Sequence, residues 1–401
     1  MKSGWDIKKL GEVCELIADG DWIESKDQST CGIRLVQTGN VGVGIFRNKE
    51  GSEHFVSSET FRRLNCTEIF GGDILISRLP DPVGRACVVP DLGQKMITAV
   101  DCSIVRLRRS VCLPTFLVYY ASSAEWFNAI EAKCTGSTRK RISRKNLTDV
   151  LVPIPPLAEQ KRIVAKIDAA FEKIDNLKAN AEKNLANAKE LFQSALDEAM
   201  RPKDGWVEKR LGEVAEIQRG GSPRPIKDFI TQNKDGYNWI KIGDVDPSGK
   251  FITSTAEKIR KEGLRKTRQV FAGEFLLSNS MSFGRPYILK IDGCIHDGWL
   301  VLRGFQKFYK EDFFYHLLRS KWIQNQFNSL AYGSTVRNLN SNSVSNVIVP
   351  IVALEEQQEI ADSLDRLQSQ TGVLQQNYTK QIADCEEMRQ AVLREAFEGR
   401  L

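Results

Sequence analysis

Two polar stretches hold the residue types best suited to contacting a polyanion. Ser137, Thr138, Arg139, Lys140 and Arg141 follow Gly136, and Ser334, Thr335, Arg337 and Asn338 follow Gly333. Hydroxyls, guanidinium forks and a carboxamide at such positions can donate to phosphate oxygens and to base edges. Arginine and asparagine are the usual bidentate readers of guanine and adenine in the major groove. The plainer reading of each stretch is a solvated loop that caps a helix. A second candidate surface comprises Arg78, Arg85, Asn279 and Arg285, which follow a strand motif present twice. Their plainer reading is structural ion pairing.

Catalytic constellations are absent from the sequence. There is no Asn/Asp-Pro-Pro-aromatic tetrad of an amino-methyltransferase and no GxxxxGK[ST] phosphate loop. Gly39-Asn40-Val41-Gly42-Val43-Gly44 is glycine-rich, but its spacing does not fit a dinucleotide fingerprint. The three histidines (His54, His296, His316) pair with no repeated Ser, Cys or Asp. Nine cysteines form no CxxC pair, so a structural zinc site is not expected and reduced thiols are. No apolar run reaches the ~18 residues that span a membrane, and no signal core opens the chain; a cytoplasmic protein is expected.

The elements that position the polar stretches are written twice. Apolar residues at Ile163, Ile167, Ala170, Ile174, Leu177, Ala181, Leu185, Ala188, Leu191, Ala195 and Ala199 follow steps of mostly three and four, the mark of a helix seam. Adding 197 gives Ile360, Leu364, Leu367, Thr371, Leu374, Tyr378, Ile382, Cys385, Met388, Val392 and Ala396, of which only Thr371 is polar. A helix of ~44 residues is about 66 Å long. Proline precedes each helix and glutamates occupy each first turn, where carboxylates favour the dipole. Gly372, inside the second helix, is expected to mark a bend.

Shorter anchors extend the repeat upstream. Gly4-Trp5 and Leu10-Gly11-Glu12-Val13 return as Gly205-Trp206 and Leu211-Gly212-Glu213-Val214. The motif from Phe70 to Ser77 returns from Phe271 to Ser278, and Val152-Pro153 returns as Val349-Pro350. Strands are expected at 33–37, 74–77, 86–89 and 103–107, and at 238–242, 275–278, 287–290 and 299–302. One helix is expected over 115–132 and one over 312–330. The fold class is α+β: two mixed α/β domains, 1–155 and 202–353, joined and separated by two long antiparallel coiled-coil helices, 156–201 and 354–401, with a pseudo-two-fold internal repeat.

Charge follows the same division. Residues 201–350 carry 24 Lys+Arg against 15 Asp+Glu, a net +9, whereas residues 351–401 carry 5 against 10. A basic globular segment suits a polyanion partner.

Several of these stretches together resemble the specificity subunit of type I restriction–modification systems. They are the Gly-Ser-Thr loops, Val-Pro-Ile-Pro-Pro-Leu-Ala-Glu-Gln-Lys-Arg-Ile at 152–163, and its copy Val-Pro-Ile-Val-Ala-Leu-Glu-Glu-Gln-Gln-Glu-Ile at 349–360. The closing Ala396-Phe397-Glu398-Gly399-Arg400-Leu401 fits the same pattern. The copy departs from it at Val352-Ala353, where the first helix has Pro155-Pro156. The resemblance implies a non-catalytic chain with two target-recognition domains, each reading one half of a bipartite site in double-stranded DNA. It implies helices that set the spacing and dock two methyltransferase subunits, with restriction subunits joining that core. S-adenosylmethionine, ATP and magnesium would then belong to the partners, and no cofactor or metal to this chain. The rival readings are a DNA-acting enzyme, either a fused restriction–methylation protein or a nuclease, and a coiled-coil scaffold with no DNA partner.

Overall fold

A computed structural model describes residues 4–136, 139–247, 249–280, 283–331 and 338–401. The chain divides into two compact units. One comprises residues 1–182 with 379–401, the other residues 183–378. Each therefore holds one globular domain, part of the first long helix (Leu157–Ala199) and part of the second (Leu354–Phe397).

In the first unit a four-stranded sheet runs in the order Cys14–Asp19, Cys102–Leu107, Ile74–Ser77, Ala86–Val88. Ile74, Leu75 and Ile76 are all buried because the sheet is covered on both faces. Ile74 and Ile76 join the large core that includes the helices, while Leu75 packs with Val36, Cys87, Met96 and Ile104 against a second sheet. That sheet has five strands, with Ile33–Val36 beside Met96–Thr98 in parallel. A separate antiparallel pair, Asp6–Lys9 with Leu151–Ile154, ties the start of the domain to the segment entering the long helix.

The second unit repeats this plan. Glu216–Arg219, Trp299–Arg303, Phe275–Ser278 and Pro286–Leu289 correspond to the four strands above, with Phe251–Ile252 added at the edge. Val207–Arg210 pairs with Ile348–Ile351 as the entry clasp. The expected strands are all found, displaced by a residue or two at their ends.

Two expectations are corrected. The helix expected over 115–132 is two helices, Pro114–Tyr120 and Ala124–Glu131. Ser123 restarts the second by accepting from Trp126 N at 3.3 Å. The helix expected over 312–330 is likewise Glu311–Arg319 and Lys321–Leu330, with Ser320 capping Ile323 at 3.4 Å. Apolar periodicity continues through both breaks, which hides them from a pattern reading.

The second correction concerns the seam. The buried side chains of the first long helix include Phe171, Phe192 and Leu196, whereas Leu177 and Leu191 are 55% and 53% exposed. Their repeats in the second helix, Leu374 and Met388, are 41% and 40% exposed. The buried stripe is turned toward the globular domains because the aromatic residues pack there. Phe171 meets Tyr119 edge-on at 5.5 Å, and Phe192 lies 6.2 Å from His316. Within the first unit Arg162 reaches the Leu401 carbonyl at 2.7 Å and Arg389 binds Asp175 at 2.5 Å, so those two helical segments run antiparallel. The helix is unbroken through Gly372.

All nine cysteines are free, seven of them buried. Among the described residues no helix is long and apolar enough to cross a membrane, and no cluster of His, Cys, Asp and Glu could hold a metal ion.

Candidate nucleic-acid interface

The two candidate surfaces of the first domain form one face. Ile142 N donates to Arg78 O at 3.4 Å, and Thr135 and Arg141 exchange a short bridge that closes the polar loop. The second domain has the same junction: Leu339 N donates to Asn279 O at 2.8 Å, and Asn338 bridges Ser280. The loop after the repeated strand thus supports the polar loop in both domains.

Not every expected residue presents its side chain. Arg85 is 8% exposed and donates to the carbonyls of Val41, Leu79, Pro82 and Thr38 at 2.7–3.1 Å. Its donors are consumed in holding the loop, so the structure gives it a positioning role rather than a surface one. Arg78 is 5% exposed, donates to Val100 O at 2.6 Å and pairs with Asp19 at 3.1 Å. Burial draws both guanidinium pKa values down from the ordinary value. Asn279 is 2% exposed and donates to Asp297 O at 2.8 Å. All three therefore shape the face from beneath.

The exposed candidates lie above them. Arg139 is exposed, Lys140 pairs with Glu131, and Arg141 pairs with Asp101 at 2.8 Å while 46% of its side chain remains exposed. Arg285 is exposed but lines a cleft against the second long helix. Asn338 is half-buried. Ser137, Thr138, Ser334, Thr335 and Arg337 lie outside the described residues.

A third loop on this face escaped sequence reasoning. In the first domain it follows the strand Cys14–Asp19 and carries Trp22, 67% exposed, with its indole N–H on Glu24 at 3.3 Å. In the second it follows Glu216–Arg219 and carries Ser222 and Arg224, which reach Asp297 at 2.8 and 3.7 Å. Beside it lies a cavity of about 1090 Å³ walled by Ile226, Ile230, Trp239 and Ile242 and rimmed by Lys227 and Lys241. His296 sits at its edge, accepting from Ile242 N at 3.0 Å, and burial pushes its pKa below the usual histidine value, which favours the neutral ring. One signal could have found this loop. Gly20 and Gly220 repeat at the strand end, and a Cβ there would lie 2.2 Å from Ala99 O or 2.1 Å from His296 O. Only glycine permits that backbone crossing.

Donors, cations and a few carboxylates line each face, groups suited to contacting a polyanion. This matches the similarity to known proteins. The model of the type I restriction modification DNA specificity domain matches residues 2–186 and again 203–383. The chain belongs to that family.

Among curated relatives, the type I restriction enzyme EcoBI specificity subunit of Escherichia coli is 27% identical over 315 residues, covering 71% of this chain and 65% of that protein. The putative MjaX specificity subunit of Methanocaldococcus jannaschii is 22% identical over 380 residues, 90% of this chain and 86% of that protein. The fold resembles a chain of a type I restriction–modification assembly (TM-score 0.82, 23% identity, 100% of this chain and 99% of that one). It also resembles the HsdS subunit from Thermoanaerobacter tengcongensis (TM-score 0.62, 22% identity, 100% and 98%).

Proposed function

We propose that this chain is the DNA-specificity subunit of a type I restriction–modification complex and performs no chemistry itself. Residues 1–155 and 202–353 act as target-recognition domains, each reading one half of a bipartite duplex site. The helices space the domains and dock two methyltransferase subunits, to which restriction subunits are added; S-adenosylmethionine, ATP and magnesium act in those partners.

One observation carries the reading: the two domains share a backbone frame but not the side chains set into it. Beneath the face, Arg78 and Asn279 occupy one position of the repeat and support the frame alike, donating to the equivalent carbonyls Val100 O and Asp297 O. Arg141 and Asn338 occupy the next, each beside the same junction. Trp22 and Ser222 occupy the third. A frame repeated with different donors and acceptors suits the reading of two different base sequences. A coiled-coil scaffold would have no use for that difference.

The test is sequencing of methylated adenines in cells that express the chain with its methyltransferase. A bipartite, asymmetric motif is expected. Methyl transfer by the isolated chain, or DNA retention unaffected by salt, would overturn the proposal.

A further inference from the structure

In the second unit a cleft of about 490 Å³ opens beside the long helices. The Arg319 guanidinium lies 5.0 Å above the Tyr315 ring and 5.6 Å above that of Phe192. Its Nη1 is buried and has no acceptor among the described residues. Arg285 lines the same cleft, exposed, reaching the Pro247 carbonyl at 3.5 Å. No carboxylate is among the described residues that line it. The acids of this region are engaged elsewhere: Asp365 with His316 at 2.7 Å and Lys250 at 3.7 Å, Asp312 with Lys250 at 2.6 Å. Asp246, which also has a partner within the chain, acts electrostatically on the wall residue Tyr287 and so lies close to the cleft.

The internal repeat shows what is missing. At the offset of 197, Gly372 replaces Asp175 and Phe192 replaces Arg389. In the first unit Arg389 lies 4.1 Å above the Phe171 ring and is closed by Asp175 at 2.5 Å. The crevice there also includes Glu386 in its lining. In the second unit a guanidinium again lies on a phenylalanine ring, but the helix offers glycine where the carboxylate stood. Gly372 lines the cleft, and a Cβ on it would meet no atom within 4 Å. No packing contact demands a glycine there, and a helix-interior glycine is unfavourable. Its effect is to leave the cleft open, with Arg319 and Arg285 in its lining.

We propose that this cleft is a phosphate-binding site, in which Arg319 and Arg285 take the phosphate group. Guanidinium groups bind phosphate oxygens through charge-assisted hydrogen bonds. The Tyr287 and Gln368 side chains on the walls are further donors. The volume suits a ligand of nucleotide size. The phosphate comes either from a free nucleotide or from the backbone of bound DNA, and the second source rests on the function proposed above.

The experiment uses the full chain with the variants Gly372→Asp, which restores the carboxylate of the first unit, and Arg285→Gln. Calorimetric titration with AMP and with pyrophosphate forms one arm. Binding of a non-specific DNA duplex, followed by anisotropy across salt concentrations, forms the other. If a free nucleotide is the source, the wild-type chain binds the probes one to one, Gly372→Asp weakens binding by tenfold or more, and duplex binding is unchanged. If DNA is the source, both variants reduce the slope of log K against log[salt] by about one. Variants that match the wild type in both arms would overturn the site. A wild-type chain that does not bind duplex fails the function proposed above, while the nucleotide arm still judges the cleft.

Discussion

The side-chain oxygen of Gln160, in the first turn of the first long helix, accepts the backbone N–H of Leu113 at 2.9 Å. Its amide donates to Val111 O and Pro155 O, both at 2.8 Å, and the residue is fully buried. Gln357 makes the same three bonds in the second unit, to Lys310 N at 2.9 Å and to Phe308 O and Val352 O at 2.8 Å. The glutamine of each Glu-Gln motif thus fastens a long helix to the loop before a domain helix. Replacing Gln160 with alanine orphans one buried donor and two carbonyls, at ~1–3 kcal/mol for each group left unpaired. The expected net loss is about 2–4 kcal/mol, since water and relaxation recover part of it. Hydrogen exchange read by mass spectrometry should rise around residues 111–117 for Gln160→Ala and around 308–314 for Gln357→Ala; equal protection in both variants would refute the clasp.

A second tether differs between the units. Tyr119 binds Asp168 in the first, and His316, at the equivalent position, binds Asp365 at 2.7 Å in the second. Burial holds the His316 pKa below its ordinary 6.5, although Asp365 pulls it up. The folded state therefore resists a proton that the unfolded state accepts. This contribution to stability is fully present above about pH 6.5 and is lost as pH falls toward the depressed folded value. Calorimetry at pH 7.5 and 5.5 should show the second unit losing more stability than the first, and His316→Gln should narrow the difference.

Gly372 sits mid-helix with open space at its Cβ position. Gly372→Ala should raise stability by about 1 kcal/mol. An unchanged or lower denaturation midpoint would mean that the helix needs glycine for a reason its packing does not show.

Readout should separate by domain. Replacing Arg139, Lys140 and Arg141 with alanine is expected to weaken recognition of one half-site, and replacing Arg337 and Asn338 that of the other. Each lost base contact is worth about 1–3 kcal/mol. Affinity for duplexes carrying a single altered half-site gives the assignment, and two sets that act on the same half-site would end the two-reader account.

A chain cut to residues 1–200 should dimerise. In the first unit Ile163, Ile167 and Ile174 share a core with Cys385, Leu393, Ala396 and Phe397 from the second helix. The half-chain lacks those residues but carries their repeats, Ala188, Leu196, Ala199 and Met200, which a second copy can supply. Light scattering coupled to size exclusion would report the mass, and a well-folded monomer would count against the exchange.

The repeat, the strands and the long helices were legible because each depends on local pattern: period two, period near 3.6, and proline or glycine at the ends. The Gly-Ser-Thr loops and the Glu-Gln motifs stood out by recurring at one offset. Tertiary packing decided what those residues do. Arg85 reads as a surface cation until four carbonyls converge on it. Leu177 reads as seam, yet Phe171 and Phe192 dock on the domains and turn the stripe past it. Gly372 reads as a bend, but only the cleft beside it gives the missing side chain a consequence. Periodicity gives a face of a helix, whereas burial depends on which neighbour covers that face, and those neighbours lie about 49 to 239 residues away in the chain.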